Sequence, residues 1–135
     1  MHVLMLTMLE GCFLLQLVFI GLAGALGAVA RYMLGHVITQ SVGSNFPYGT
    51  LVINLSGSFL IGLVFALTAH HLLSPALQLI LATGFLGGYT TFSTMSWEGV
   101  QLARGSIRLS VLYLGATYLF GLLAVAGGIA LGWWL

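Results

Sequence analysis

The chain has 135 residues, 60% of them hydrophobic and only 4% charged. A soluble domain carries about 25% charged residues, so this composition, with a mean hydropathy of +1.14, excludes an ordinary water-soluble globule. Three arginines, no lysine and two glutamates leave a net charge of +1, which excludes a basic nucleic-acid-binding surface.

The length allows one domain, 1–135. Residues 1–12 read as a short N-terminal extension. Residues 1–20 have an apolar core that lacks a basic leader and is interrupted by Glu10, so they predict an uncleaved first span with a short N-terminal extension rather than a signal peptide. Cys12 is the single cysteine, which excludes an intrachain disulfide and a cysteine metal cluster. It reads as a small hydrophobe.

A membrane span needs about 20 mostly apolar residues, and four segments qualify. The first runs from about Phe13 to Ile38. Its small residues Gly24, Gly27 and Ala28 suit close helix packing, because lipid gives no hydrophobic push toward association. Gly21-Leu22-Ala23-Gly24 is not a dinucleotide motif, since no strand precedes it. Arg31 near its end either snorkels to the interface or attracts anions. A Gly/Ser/Asn/Pro loop follows, from Gln40 to Gly49.

The second span runs from about Thr50 to Leu72, with Gly57, Ser58 and Gly62 as its small residues. Asn54 interrupts its apolar run. It either makes an interhelical hydrogen bond or offers its two amide N–H donors to an anion. His70 and His71 are adjacent and so point apart on a helix, which argues against a joint metal site. Ser74 is a predicted N-cap and Pro75 a predicted first helical residue.

The third span, from about Pro75 to Ala103, carries the most unusual stretch. Gly84 to Glu98 packs three glycines, three threonines, two serines and one carboxylate into fifteen residues. Adjacent Gly87 and Gly88 predict a break in the helix. Lipid cannot satisfy the backbone groups a break frees, and exposed carbonyls at membrane depth can hold a cation. Phe92 is by default an ordinary aromatic, but it stands among hydroxyls just after the expected break. A ring's positive edge could face an anion weakly enough to let it leave. Glu98 is expected to be paired or near water, because an isolated buried carboxylate is costly.

The fourth span runs from about Leu109 to Trp133. Tyr113, Thr117 and Tyr118 could add hydroxyl donors, although a lone threonine in such a helix more often bonds its own backbone. Gly121, Gly127 and Gly128 suit packing, and Trp133-Trp134 reads as an interfacial anchor. Four short spans make a thin bundle, which argues for an oligomer. His2 and His36 have no visible companion. No nucleophile–base, paired-carboxylate or phosphate-cradling constellation exists, so an enzyme is not expected.

Four stretches together resemble the CrcB/Fluc family of fluoride channels: Gly27-Ala28-Val29-Ala30-Arg31-Tyr32, Pro47 through Phe59, Gly84 through Glu98, and Gly121-Leu122-Leu123-Ala124. The resemblance covers nearly all of the chain beyond its first dozen residues. It implies an all-α membrane protein of four transmembrane helices, the third broken at its middle, assembled as an antiparallel dual-topology homodimer. It implies two fluoride pores along the subunit interface and a structural sodium ion at the dimer centre, held by the backbone carbonyls of Gly87 and Thr90. Asn54, Phe92, Ser93, Thr94, Ser96 and Thr117 would face the pore, and Arg31 would attract anions or line a vestibule. The function implied is export of fluoride across the cell membrane. The family pattern reads Phe-Ser-Thr-Phe where this chain reads Phe92-Ser93-Thr94-Met95, so Met95 stands where a second ring is expected. Methionine is flexible and polarizable but has no ring quadrupole.

Dual topology requires small charge asymmetry, yet all three arginines fall toward the face of the first and third loops. The alternative is a small multidrug exporter, also dimeric with four helices. Such proteins carry a glutamate within the first helix, and here Glu10 lies before it.

Overall fold

The computed structural model describes residues 2–135, with side chains from Phe13 onward. Glu10, Cys12 and His2 therefore lie outside the described side chains. All regular secondary structure among the described residues is helical, and they contain no strand. Helix α1 spans His2–Val42 and α2 spans Tyr48–Ala69. A segmented stretch follows: α3 (Pro75–Gln78), a π-helical segment (Leu79–Leu86), α4 (Gly87–Tyr89) and α5 (Phe92–Gly105). Helix α6 spans Ile107–Trp134.

Local signals set most of these ends. Helix α1 stops where Gly43 takes φ 89°, a left-handed value that favours glycine, and the Gly43 N–H bonds back to the Thr39 carbonyl at 2.9 Å. Helix α2 ends three residues earlier than Leu72, because His71 turns the chain with φ 58°. Ser74 caps α3 by accepting the Leu77 N–H at 3.2 Å, with Pro75 in the first turn. Ser106 alone separates α5 from α6.

Three helices are long and apolar enough to cross a membrane: Phe13–Val42 within α1, α2 and α6. The stretch from Pro75 to Gly105 is not one continuous helix. Gly87 and Gly88, where the sequence predicts the break, are helical. The extended residues are Thr90, with ψ 160°, and Thr91, with φ −147°. The glycines serve packing instead. A Cβ on Gly88 would fall on the Gly24 carbonyl of α1, and one on Gly27 would fall on the Phe85 carbonyl. Backbones at that separation gain dispersion contacts that larger side chains would block.

The same device joins α2 to α6. Gly62 lies against the Val125 backbone, and Gly128 against the Phe59 carbonyl. Helix α6 also holds α5, where Ser110 Oγ donates to the Gly99 carbonyl at 2.7 Å. A small core of Ile53, Leu86 and Tyr89 sits where α2 meets the segmented stretch. Large apolar side chains on α1 and α6 face outward, among them Phe13, Leu26, Leu112 and Leu122.

Candidate functional site

The joint between α4 and α5 is built by competition for backbone hydrogen bonds. In a continuous helix the Thr91 N–H would donate to the Gly87 carbonyl. Here it donates to Asn54 Oδ1 at 2.9 Å, while Asn54 Nδ2 donates to the Thr91 carbonyl at 3.0 Å. The Thr91 side chain then caps α5: its Oγ1 accepts the Thr94 N–H at 3.3 Å and donates to Thr94 Oγ1 at 3.0 Å. The Thr94 N–H is thereby drawn from the Thr90 carbonyl. On the α4 side, Ser56 Oγ and Tyr89 Oη share a 2.9 Å bond.

Gly87 and Thr90 thus keep carbonyls whose helical donors are engaged elsewhere. Unwound backbone oxygens of this kind are the donor set a sodium ion takes in membrane proteins, so the residues present fit the ion the resemblance implies.

Two grooves meet at this joint. A groove of about 380 Å³ brings together Asn54, Gly87, Thr90, Phe92, Met95 and Thr117. A second, of about 400 Å³, holds Arg31, Thr94 and Glu98. Thr91 lines both. Ser93 and Ser96 line neither groove. Ser93 Oγ lies 3.5 Å from Thr91 Oγ1. Phe92 is 70% exposed, whereas Met95 is 4% exposed and packs inward.

The hydroxyl inventory is narrower than the residue list suggests. Thr117 Oγ1 donates to the Tyr113 carbonyl at 2.7 Å, so its proton is committed to its own helix. Asn54 has one Nδ2 hydrogen left beyond its bond to Thr91. Thr94 Oγ1 accepts from Thr91, which leaves its own proton free to donate.

Glu98 is paired with two hydroxyls. Thr50 Oγ1 donates to Oε1 at 2.9 Å and Tyr113 Oη donates to Oε2 at 2.7 Å. Tyr113 is fully buried, and Phe46 from the first loop packs edge-on against it at 5.6 Å. This cluster ties α2, α5 and α6 together beside the second groove. His36 lines the same groove and is bonded to Gln40 at 3.0 Å, while His70 packs edge-on to Trp133 at 5.1 Å.

Sequence reasoning missed Thr50, Tyr89 and Thr91. A signal existed for the first, since Thr50 and Asn54 stand four apart and share a helix face. The partners of Tyr89 and Thr91 lie 33 and 37 residues away, so no local pattern marks them.

Comparison with known proteins bears on what this arrangement does. A family model described as CrcB-like protein, Camphor Resistance (CrcB), matches residues 18–129. A fluoride-specific ion channel FluC of Acidobacterium capsulatum is 47% identical over 120 residues, covering 87% of this chain and 96% of that protein. A fluoride-specific ion channel FluC 1 of Listeria monocytogenes is 42% identical over 120 residues, covering 88% of this chain and 98% of that protein. A fluoride-specific ion channel FluC of Methanopyrus kandleri is 44% identical over 116 residues, covering 85% and 87%.

Proposed function

This chain belongs to the CrcB-like family, and from that premise we propose that it is a fluoride-selective channel of the cell membrane, not an enzyme. It exports fluoride from the cytoplasm down its gradient and so lowers a toxic internal concentration. Two copies assemble as an antiparallel homodimer of dual topology, each contributing four spans. The third span is the segmented stretch from Pro75 to Gly105, with its joint at Thr90–Thr91 set within the membrane. The exposed apolar faces of α1 and α6 are divided between lipid and the second copy.

The observation that carries this reading is the Asn54–Thr91 pair beside a groove that also holds Phe92. It gathers anion donors and bare carbonyls at one place. Fluoride is small and strongly hydrated, so a selective path must replace water with many donors. The remaining Asn54 N–H and the Phe92 ring edge supply donors at the first groove, and the Thr94 proton supplies one at the second; Ser93 and Ser96 join them only by turning their hydroxyls into a groove that neither lines here. Binding stays weak enough for release. Thr117 joins them only by turning its hydroxyl away from the Tyr113 carbonyl. Arg31 at the second groove attracts anions toward the path. Sodium, held by Gly87 and Thr90 carbonyls from both copies, would supply positive charge and fasten the dimer.

Purified protein in liposomes, monitored by a fluoride electrode, tests the activity. Fluoride efflux is expected from the native chain, and from Met95→Phe at a rate within about threefold, because Met95 packs inward and shapes the wall by volume. Absence of fluoride flux from both proteins would sink the proposal.

Dual topology has its own test. Both termini should be reachable by an impermeant label from either side of the membrane in whole cells. Labelling from one side alone would show that the three arginines impose a single orientation.

A further inference from the structure

Asn54 stands in the anion path of the proposed channel, yet its hydrogen bonds point to a second task. Both polar atoms of its side chain bond the backbone of one residue, Thr91, in a reciprocal pair at 2.9 and 3.0 Å, with one Nδ2 hydrogen left over. Neighbouring residues of α2 hold the same joint. Ser56 Oγ meets the Tyr89 hydroxyl at 2.9 Å, one residue before the extended pair Thr90–Thr91. Gly57 leaves room for the joint itself: a Cβ there would overlap Thr90 Cγ2 and touch the Tyr89 ring at 3.4 Å. The Thr90 side chain cannot swing aside without giving up its 2.9 Å bond to the Leu86 carbonyl. Asn54-Leu55-Ser56-Gly57 therefore forms a clamp that grips both lips of the joint and leaves a slot for Thr90.

We propose that Asn54 is a positioning residue for the cation site, holding Thr91 so that the Gly87 and Thr90 carbonyls stay out of helical bonding beside the groove that both residues line. The inference rests on the sodium reading above and deepens it. If Asn54 released the Thr91 N–H, that donor would return to the Gly87 carbonyl, the joint would close by one helical bond, and the cation would lose an oxygen. Fluoride conduction and cation affinity are then set by the same side chain. Ser56 contributes in the same direction with one bond instead of two.

The test uses the purified dimer and separates the two tasks of Asn54. Sodium is varied against an inert organic cation, and fluoride efflux is recorded for the native chain, Asn54→Ala, Asn54→Asp and Ser56→Ala. Losing both bonds in Asn54→Ala is expected to raise the sodium concentration for half-maximal efflux by at least about tenfold, with flux recovering as sodium is raised. Ser56→Ala should shift the same midpoint by a smaller factor. The Thr91 amide is followed separately by hydrogen exchange, without any transport measurement. Its exchange should speed up by about tenfold or more in Asn54→Ala and remain near native in Asn54→Asp, which keeps the acceptor oxygen.

A collapse of maximal flux in Asn54→Ala with an unchanged sodium midpoint would make Asn54 an anion ligand alone and overturn the proposal. Unchanged exchange at Thr91 in Asn54→Ala would do the same. A native chain whose efflux ignored sodium would refute the cation reading, and the exchange comparison would still decide whether Asn54 clamps the joint.

Discussion

Gly88→Leu is expected to yield no folded, monodisperse protein after detergent extraction, while Gly21→Leu extracts like the native chain. A Cβ at Gly88 would overlap the Gly24 carbonyl and lie 3.0 Å from its Cα, whereas a Cβ at Gly21 meets nothing within 4 Å. Neither α1 nor α4 can yield locally, because the obstructing atoms are backbone. An ordinary overpacked core site costs about 1–3 kcal/mol, but here a whole helix must move. Moving it also opens the Gly27–Phe85 and Gly84–Ile20 contacts in the same seam. Native stability totals only about 5–15 kcal/mol, so the substitution consumes much of it. Size-exclusion profiles of the two variants side by side provide the check, and equal recovery would show that the seam tolerates separation.

Tyr113→Ala should destabilise the subunit strongly, and Tyr113→Phe should do so by a smaller step. Tyr113 is 0% exposed and is the one fully enclosed large side chain among the described residues. Truncating a buried aromatic costs about 3–5 kcal/mol through lost contacts and the cavity left behind. The phenylalanine variant keeps the volume and the edge-on contact with Phe46, but it removes the donor to Glu98 Oε2. Leaving that oxygen without its partner costs about 1–3 kcal/mol. Thermal unfolding in one detergent should therefore order the proteins as native, then Phe, then Ala. A phenylalanine variant as unstable as the alanine variant would assign the role of Tyr113 to its hydroxyl rather than its bulk.

The parts of this molecule that depend on near neighbours were readable before the structure. Continuous apolar runs mark α1, α2 and α6, and the Ser74–Pro75 start of α3 follows from capping chemistry alone. The Gly87–Gly88 pair predicts a break three residues before the chain actually opens, at Thr90–Thr91. Gly87 and Gly88 lower the cost of bending, but flexibility does not decide where a helix opens. The outcome depends on which acceptor wins each N–H, and the winner for Thr91 sits on another helix. The same limit applied to Glu98, whose need for partners was legible while Thr50 and Tyr113 were not. The π-helical turn over Leu79–Leu86 had no signature either.

Ser106 has a mechanical consequence. Its N–H closes the last turn of α5 on the Leu102 carbonyl at 2.7 Å, and its own carbonyl opens α6 by accepting the Ser110 N–H at 3.2 Å. A linker of one residue, bonded in both directions, leaves no slack between the two helices. The Ser110–Gly99 bond adds a rivet a turn further in. Helices α5 and α6 must then rock as one stiff hairpin.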